Sequence, residues 1–301
     1  MILFVLFAAL ASVLGSSFAA DMQTPRVTVL GSGERLSILV TAGNARLLLA
    51  TGDDPGALGN ALAEARHPTI RRLDVLLVAG RSKDLLAPAA VIDSEHARFV
   101  ASIGLGSDQV LPPSLRGVPA SPAERRFRLP EGVTVLVRWE PGDDPDAPSS
   151  WAGLVTQGRS SVAVLSDGSA VGLLGSAARL NALVVSGDQP LEALPTVSTG
   201  AIITTASAIS GKELRQSAAG LTGGALWGAR VYPGEAIRLT FAEGAITLPP
   251  DGAQRLSEPP DPTGPPTPHP ADGARWNEPR RDMRAVNSLT AQVRLTASGM
   301  R

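Results

Sequence analysis

Residues 26 to 250 are patterned as short apolar blocks separated by turn-forming residues. Arg26 to Leu30 (RVTVL), Ser37 to Val40 (SILV) and Arg46 to Thr51 (RLLLAT) predict three strands. Gly31-Ser32-Gly33-Glu34 forms the first turn, and Gly52-Asp53-Asp54-Pro55-Gly56 closes the third strand. Ala57 to Arg66 carries Leu58 and Leu62 one helical turn apart and predicts a helix stopped at His67-Pro68. Leu73 to Val78 (LDVLLV) is a nearly continuous apolar run, the pattern of a strand buried on both faces. Further strands are predicted at Val133 to Arg138, Ala152 to Thr156, Ser161 to Leu165, Ala182 to Val185 and Ala201 to Thr205. Ala229 to Tyr232, Ala236 to Phe241 and Ala245 to Leu248 complete the series. Strands dominate, short helices lie between them, and the pattern runs as two similar halves. The predicted class is α/β, with two sheets or one large sheet covered by helices.

The two ends are patterned differently. Ile2 to Ala20 is uncharged and apolar, and as a helix it would reach roughly 28 Å, close to the hydrocarbon thickness of a bilayer. Small residues near its end, Ser17-Phe18-Ala19 before Ala20 and Asp21, also suit signal cleavage, although no Lys or Arg precedes the run. Residues 1–25 are therefore read as a retained membrane anchor or a cleaved signal, and either one exports the domain behind it. Pro249 to Pro279 holds ten prolines in 31 residues. Proline lacks the amide proton and fixes φ, so this stretch predicts an extended, solvated linker. Beyond it, Arg280 to Arg301 has five arginines against one acid and reads as a frayed tail, with a basic helix touching anionic lipid as the alternative. The expected organisation is thus 1–25, a single domain over 26–250, and a Pro-rich disordered tail over 251–301.

Charge and composition narrow the chemistry. With 27 basic and 28 acidic residues the net charge is -1, which does not support a general polyanion binder or nucleic acid as partner. The absence of cysteine excludes disulfides, thiolate zinc sites and cysteine nucleophiles. Only three histidines are present, His67, His96 and His269. No G-x-S-x-G elbow occurs, so the strained turn of serine hydrolases is missing. Gly31-Ser32-Gly33 is too short for a dinucleotide fingerprint and reads as a hairpin-like turn. Ser210-Gly211-Lys212-Glu213 reads as a helix start, with Ser210 as cap and Glu213 as its box partner. Arg125-Arg126-Phe127-Arg128 is a basic cluster with an aromatic inside, read as a solvated strand edge.

The order of segments nevertheless resembles the metallo-β-lactamase fold, in particular the extracytoplasmic domain of ComEC-type DNA-uptake channels. Val29-Leu30-Gly31-Ser32-Gly33-Glu34 stands where that family has V-G-Q-G-D, and Leu48-Leu49-Ala50-Thr51-Gly52 where it has L-I-D-T-G. Leu73-Asp74-Val75-Leu76-Leu77-Val78-Ala79-Gly80 is similar to L-D-x-L-V-L-T-H. Gly132 to Arg138, Gly153 to Gly168 and Ala182 to Val185 fall where the second half repeats the pattern. The resemblance implies an αββα sandwich and, in the family, a zinc centre built on H-x-H-x-D-H, whose metal turns bound water into a hydroxide nucleophile.

This chain departs from that pattern where the chemistry lies. The loop reads Gly80-Arg81-Ser82-Lys83-Asp84-Leu85, so the three histidine positions become Gly80, Ser82 and Leu85 and only Asp84 survives. The aspartate of L-I-D-T-G is Ala50; the later acids correspond to Asp167, shifted by one residue, and to Asp188 in Ser186-Gly187-Asp188. His67, His96 and His269 lie elsewhere, His96 being placed in a helix after Glu95. Asp84, Asp167 and Asp188 would offer oxygen ligands to magnesium or calcium, but Arg81 and Lys83 in the same loop oppose a cation. Asp84 is otherwise read as a loop or helix N-cap carboxylate. The expectation is therefore a non-catalytic, exported module without zinc, with Gly80, Ser82, Asp84, Leu85, Asp167 and Asp188 marking the lost site. Its alternatives are an unconventional metal-dependent hydrolase acting on phosphodiesters or lactams, or a fragment of a competence channel.

Overall fold

The computed structural model describes residues 24–65, 72–80, 82–105, 110–141, 150–175, 179–187, 198–205, 227–242, 245–248, 253–255 and 293–296. The chain opens with β1 (Arg26–Gly31), β2 (Leu36–Ala42) and β3 (Ala45–Ala50), followed by α1 (Pro55–Ala65) and β4 (Leu73–Ala79). A 3-10 turn (Ser82–Leu85) leads into α2 (Leu86–Ser94) and then β5 (Ala97–Ile103). The second half supplies β6 (Glu124–Arg128), β7 (Val133–Glu140), β8 (Ser150–Gln157) and β9 (Ser160–Leu165), then a 3-10 helix (Gly168–Leu174). β10 (Arg179–Leu180), β11 (Ala182–Val185), β12 (Ser198–Thr199), β13 (Ala201–Thr205) and β14 (Trp227–Val231) come next. The last strands are β15 (Ala236–Ala242), β16 (Ala245–Leu248), β17 (Ala253–Arg255) and β18 (Val293–Thr296).

Two eight-stranded mixed sheets result, ordered β18-β16-β15-β1-β2-β3-β4-β5 and β17-β14-β13-β11-β9-β8-β7-β6, beside a two-stranded β10-β12 pair. Each begins as an antiparallel run and turns parallel, at β3-β4-β5 in the first and at β9-β11-β13-β14 in the second. Parallel neighbours need a crossover over one face, and α1, α2 and the 3-10 helix lie in these connections. The two similar halves expected from the sequence are therefore visible in the pairing.

The sheets face each other across one apolar core. Val27, Val29, Ile38, Val40, Leu77 and Ile103 of the first sheet meet Val135, Val155, Val162, Val164, Val184 and Ile203 of the second. Side chains alternate between faces along a strand, so the intervening residues form two outer clusters. Leu30, Leu39, Leu48, Leu76 and Val78 pack with Leu58 and Leu62 of α1 and with Ala87 and Val91 of α2. Leu165, Leu183, Val185 and Ile202 pack with Ala170 and Leu174 of the 3-10 helix. The layering is helices, sheet, sheet, 3-10 helix, with the paired sheets of the expected sandwich and a fourth layer that is 3-10 among the described residues. Leu76, Leu77 and Val78 are all fully buried, as the apolar run in β4 requires of a strand covered on both faces.

Several sequence readings change. Leu86–Ser94 is helical, with Pro88 inside its first turn, where the missing amide proton costs no helix bond. His96 lies beyond that helix and is exposed, because Glu95 is already extended at its C-cap. β5 escapes the sequence pattern because its first half, Ala97 to Val100, is only partly buried. β17 and β18 fall within the tail expected to be disordered, so seven of its residues belong to strands among those described. The apolar segment Ile2 to Ala20, the Ser210 cap, His67 and His269 lie outside the described residues.

Candidate functional site

The strand ends that would carry a site in this architecture converge. The β1–β2 turn is drawn tight by Ser32, whose N–H and Oγ both donate to the Arg35 carbonyl at 3.0 Å. Gly33 has φ +90, and a Cβ there would lie 2.1 Å from Asp53 Oδ1, which accepts from the Glu34 N–H at 3.0 Å. Beneath the turn, Ser37 Oγ donates to the Thr51 carbonyl at 2.7 Å and accepts from the Thr51 N–H at 3.0 Å, fixing the end of β2 to the end of β3. Ser32, Ser37 and Thr51 are all buried, so this polar seam is satisfied internally, as burial demands.

Asp84 enters from the 3-10 turn after β4. Its carbonyl accepts from the Gly52 N–H at 2.7 Å, and its buried carboxylate Oδ2 lies 3.4 Å from Arg35 Nε. The Arg35 side chain, 15% exposed, continues toward the second sheet, where Nη1 donates to the Ser186 carbonyl at 3.5 Å. Ser186 Oγ accepts from the Leu36 N–H at 2.8 Å and donates to its carbonyl at 3.0 Å, so the residue that takes the guanidinium also joins the two sheets at Leu36. A Cβ built at Gly187 would lie 2.5 Å from the Ser166 carbonyl, 2.7 Å from Arg35 Nη1 and 3.4 Å from Asp167 Cβ. One arginine thus lies between the sheet ends, and a side chain at Gly187 would collide first with the Ser166 carbonyl and then with the guanidinium.

The structure places the six sequence candidates unequally. Gly80 has φ +134 and backs directly onto Asp84, with a Cβ there only 2.7 Å from Asp84 Cβ. Ser82 is exposed, while Leu85 is fully buried in the outer apolar cluster with α1 and α2. Asp167 lies beside Gly187 but serves the backbone: Oδ1 accepts from the Ser169 N–H at 2.8 Å and from the Ser169 hydroxyl, and Oδ2 accepts from Ser166 Oγ at 3.0 Å. It is the N-cap of the 3-10 helix. Asp188 lies outside the described residues. The N-cap reading of Asp84 is corrected: α2 is capped at Leu85 without a side-chain bond, and Asp84 faces Arg35 instead. Ala50, at the family's strand aspartate, is packed against α1.

These residues do not fit a zinc centre. Such a centre wants nitrogen, sulfur or carboxylate donors about 2 Å from the ion. Here Gly80 has no side chain, Leu85 is apolar, Ser82 faces solvent, Asp84, the loop's one retained carboxylate, is beside a guanidinium, and Asp167 is spent on capping the 3-10 helix. Among the described residues, no group of three or more His, Asp or Glu side chains converges as a metal cage would require.

Arg35 is the residue that sequence reasoning missed. The expectation of a cation opposing a metal rested on Arg81 and Lys83; Arg81 lies outside the described residues, and Lys83 is half exposed, its Nζ 3.1 Å from Glu34 Oε2. The hydrogen bond to Glu34 and the charges of Glu34 and Asp84 raise the Lys83 pKa above its ordinary value. A raised lysine pKa stabilises the fold at all pH values below the unfolded pKa, and that contribution disappears as pH rises through the folded pKa. An exposed pair of this kind is worth less than about 1 kcal/mol. Thermal midpoints of wild type and Lys83→Met should accordingly differ by no more than a few degrees near neutrality and converge above the lysine range.

The chain is similar to several solved structures, three of which follow. The metallo-β-lactamase fold protein YhfI from Bacillus subtilis superposes with a TM-score of 0.48 at 13% identity, covering 70% of this chain and 98% of its own. MEM-A1, a subclass B3 metallo-β-lactamase from a soil metagenome library, gives 0.37 at 13% identity over 61% of this chain and 81% of its own. The Rm3 metallo-β-lactamase gives 0.36 at 19% identity over 46% of this chain and 57% of its own. No family model and no curated protein matches the sequence.

Proposed function

We propose that this chain is a non-catalytic, exported module of the metallo-β-lactamase, ComEC-like type, acting as a binding or scaffold unit. The observation that supports it is Arg35, whose guanidinium lies between Asp84 and the Ser186 carbonyl, where the resemblance places a metal. A fixed cation there repels a second one at short range, and the histidine donors that would overcome the repulsion are replaced by Gly80, Ser82 and Leu85. Export is carried by the apolar run from Ile2 to Ala20.

Metal-coupled folding makes the binding free energy of the ion part of the stability. A domain of this size instead carries its fold by apolar burial. The purified chain should therefore show the same thermal midpoint with and without a chelator, zinc well below one equivalent by elemental analysis, and no metal-dependent cleavage of a generic phosphodiester. Near-stoichiometric zinc together with a chelator-induced loss of several degrees would overturn the proposal and restore a hydrolase.

A further inference from the structure

Away from the site just described, the second sheet ends in a strand with an unusual load. β6 is the terminal strand next to β7, and among the described residues nothing pairs with its other side. Its sequence, Glu124-Arg125-Arg126-Phe127-Arg128, is the basic cluster that the proposed function leaves unused.

The register settles which backbone groups are open. The Trp139 N–H donates to the Ala123 carbonyl at 2.9 Å, and the Leu129 N–H to the Val133 carbonyl at 2.8 Å, at the two ends of the ladder. In an antiparallel pair, inward and outward hydrogen bonding alternates residue by residue. Ala123, Arg125, Phe127 and Leu129 therefore bond toward β7, and Glu124, Arg126 and Arg128 point their N–H and C=O groups away from the sheet. The same three residues have exposed side chains on the outer face. On the inner face, Arg125 is held over Phe99 at 4.3 Å and Phe127 at 5.4 Å from the ring centroids, which ties this edge to β5 of the first sheet. Glu124 is neutralised within the sheet by Arg138, whose Nε lies 2.9 Å from its carboxylate. What the edge offers is an open backbone ladder flanked by two exposed arginines spaced two residues apart.

We propose that β6 is a docking edge for an extended acidic segment of another protein, which adds to the second sheet as a strand and places acidic side chains at alternate positions opposite Arg126 and Arg128. Opposite charges directly across a ladder stabilise it, and like charges destabilise it. A second copy of this chain pairing across β6 in the centred register would set Arg126 against Arg126, and the Glu124 that would face Arg128 is already engaged by Arg138, so the two exposed arginines favour an acidic partner over self-pairing. Strand addition supplies affinity through the main chain, and side chains at every second residue supply specificity.

The test uses the full chain and a fluorescein-labelled peptide of alternating valine and glutamate. Expected results are a rise in anisotropy on binding and at least tenfold slower hydrogen exchange of the Arg126 and Arg128 amides. The double variant Arg126→Gln/Arg128→Gln should weaken binding about tenfold, two cross-strand pairs at roughly 0.7 kcal/mol each. Arg126→Pro removes an outward N–H without breaking a ladder bond to β7, and it should abolish binding. Arg126→Glu/Arg128→Glu should transfer preference to a valine–lysine peptide. Should Arg126→Pro fail to fold, the glutamine and glutamate variants and the exchange data decide. The proposal is overturned if the peptide does not bind at millimolar concentration, or if it binds without slowing the two amides. It is also overturned if an oligothymidylate binds as tightly and loses affinity in the same variants, which would make the edge a nucleic-acid surface.

Discussion

Replacing Arg35 by methionine should lower the stability of the domain by about 3 kcal/mol, the low end of what removing one member of a buried ion pair costs. For a domain of this size that corresponds to a fall of roughly 6–12 °C in the thermal midpoint. Methionine keeps most of the aliphatic stem, so the loss reports the guanidinium. Two terms contribute: the Asp84 carboxylate, 4% exposed, loses a cation 3.4 Å away, and the Ser186 carbonyl loses a donor that reaches it from the other sheet. Arg35→Lys should recover only part of this, because a single ammonium cannot serve two acceptors that a planar fork spans. In the double variant Arg35→Met/Asp84→Asn, the charge that makes the single change expensive is removed. The double-mutant cycle should return a coupling above about 1 kcal/mol. A midpoint for Arg35→Met within a degree or two of wild type would mean that the guanidinium is a bystander in the cavity. The proposed replacement of metal by arginine would then fail.

The strands were legible because burial leaves a direct trace in composition. Leu73 to Val78 could be read as a doubly covered strand from its own letters, since only the layers above and below β4 make such a run tolerable. Ala97 to Ile103 left no such trace, because its first half lies at a sheet edge and mixes Arg98 with Phe99. The helix before β5 was legible, but with His96 inside it; the chain is already extended at Glu95, and nothing in the letters marks that end. At the site, segment order located the loop and the loss of donors was visible letter by letter. Which cation fills the space was not. Arg35 and Lys83 are both long, and each lies near an acid, Asp84 and Glu34 respectively. Sequence shows the sign of a charge but not the path of a flexible side chain, and that path is set here by the turn Ser32 closes on the Arg35 carbonyl.

The tightness of that filling has its own consequence at Gly187. A methyl group there would sit 2.5 Å from the Ser166 carbonyl and 2.7 Å from Arg35 Nη1, both well inside van der Waals contact. The Ser166 carbonyl belongs to backbone held by the Trp151 N–H bond to Ser166 Oγ at 3.0 Å, so it cannot retreat freely. The guanidinium end can, but only by giving up the Ser186 carbonyl. Gly187→Ala should therefore cost about 2–3 kcal/mol by overpacking, measured by denaturant midpoint with an unchanged slope. Adding Arg35→Ala to Gly187→Ala should make the pair less destabilising than the sum of the single changes by about 1 kcal/mol, because one of the two collisions is gone. Strict additivity would place the arginine away from Gly187 in solution. It would leave the space between the sheet ends open to some other occupant.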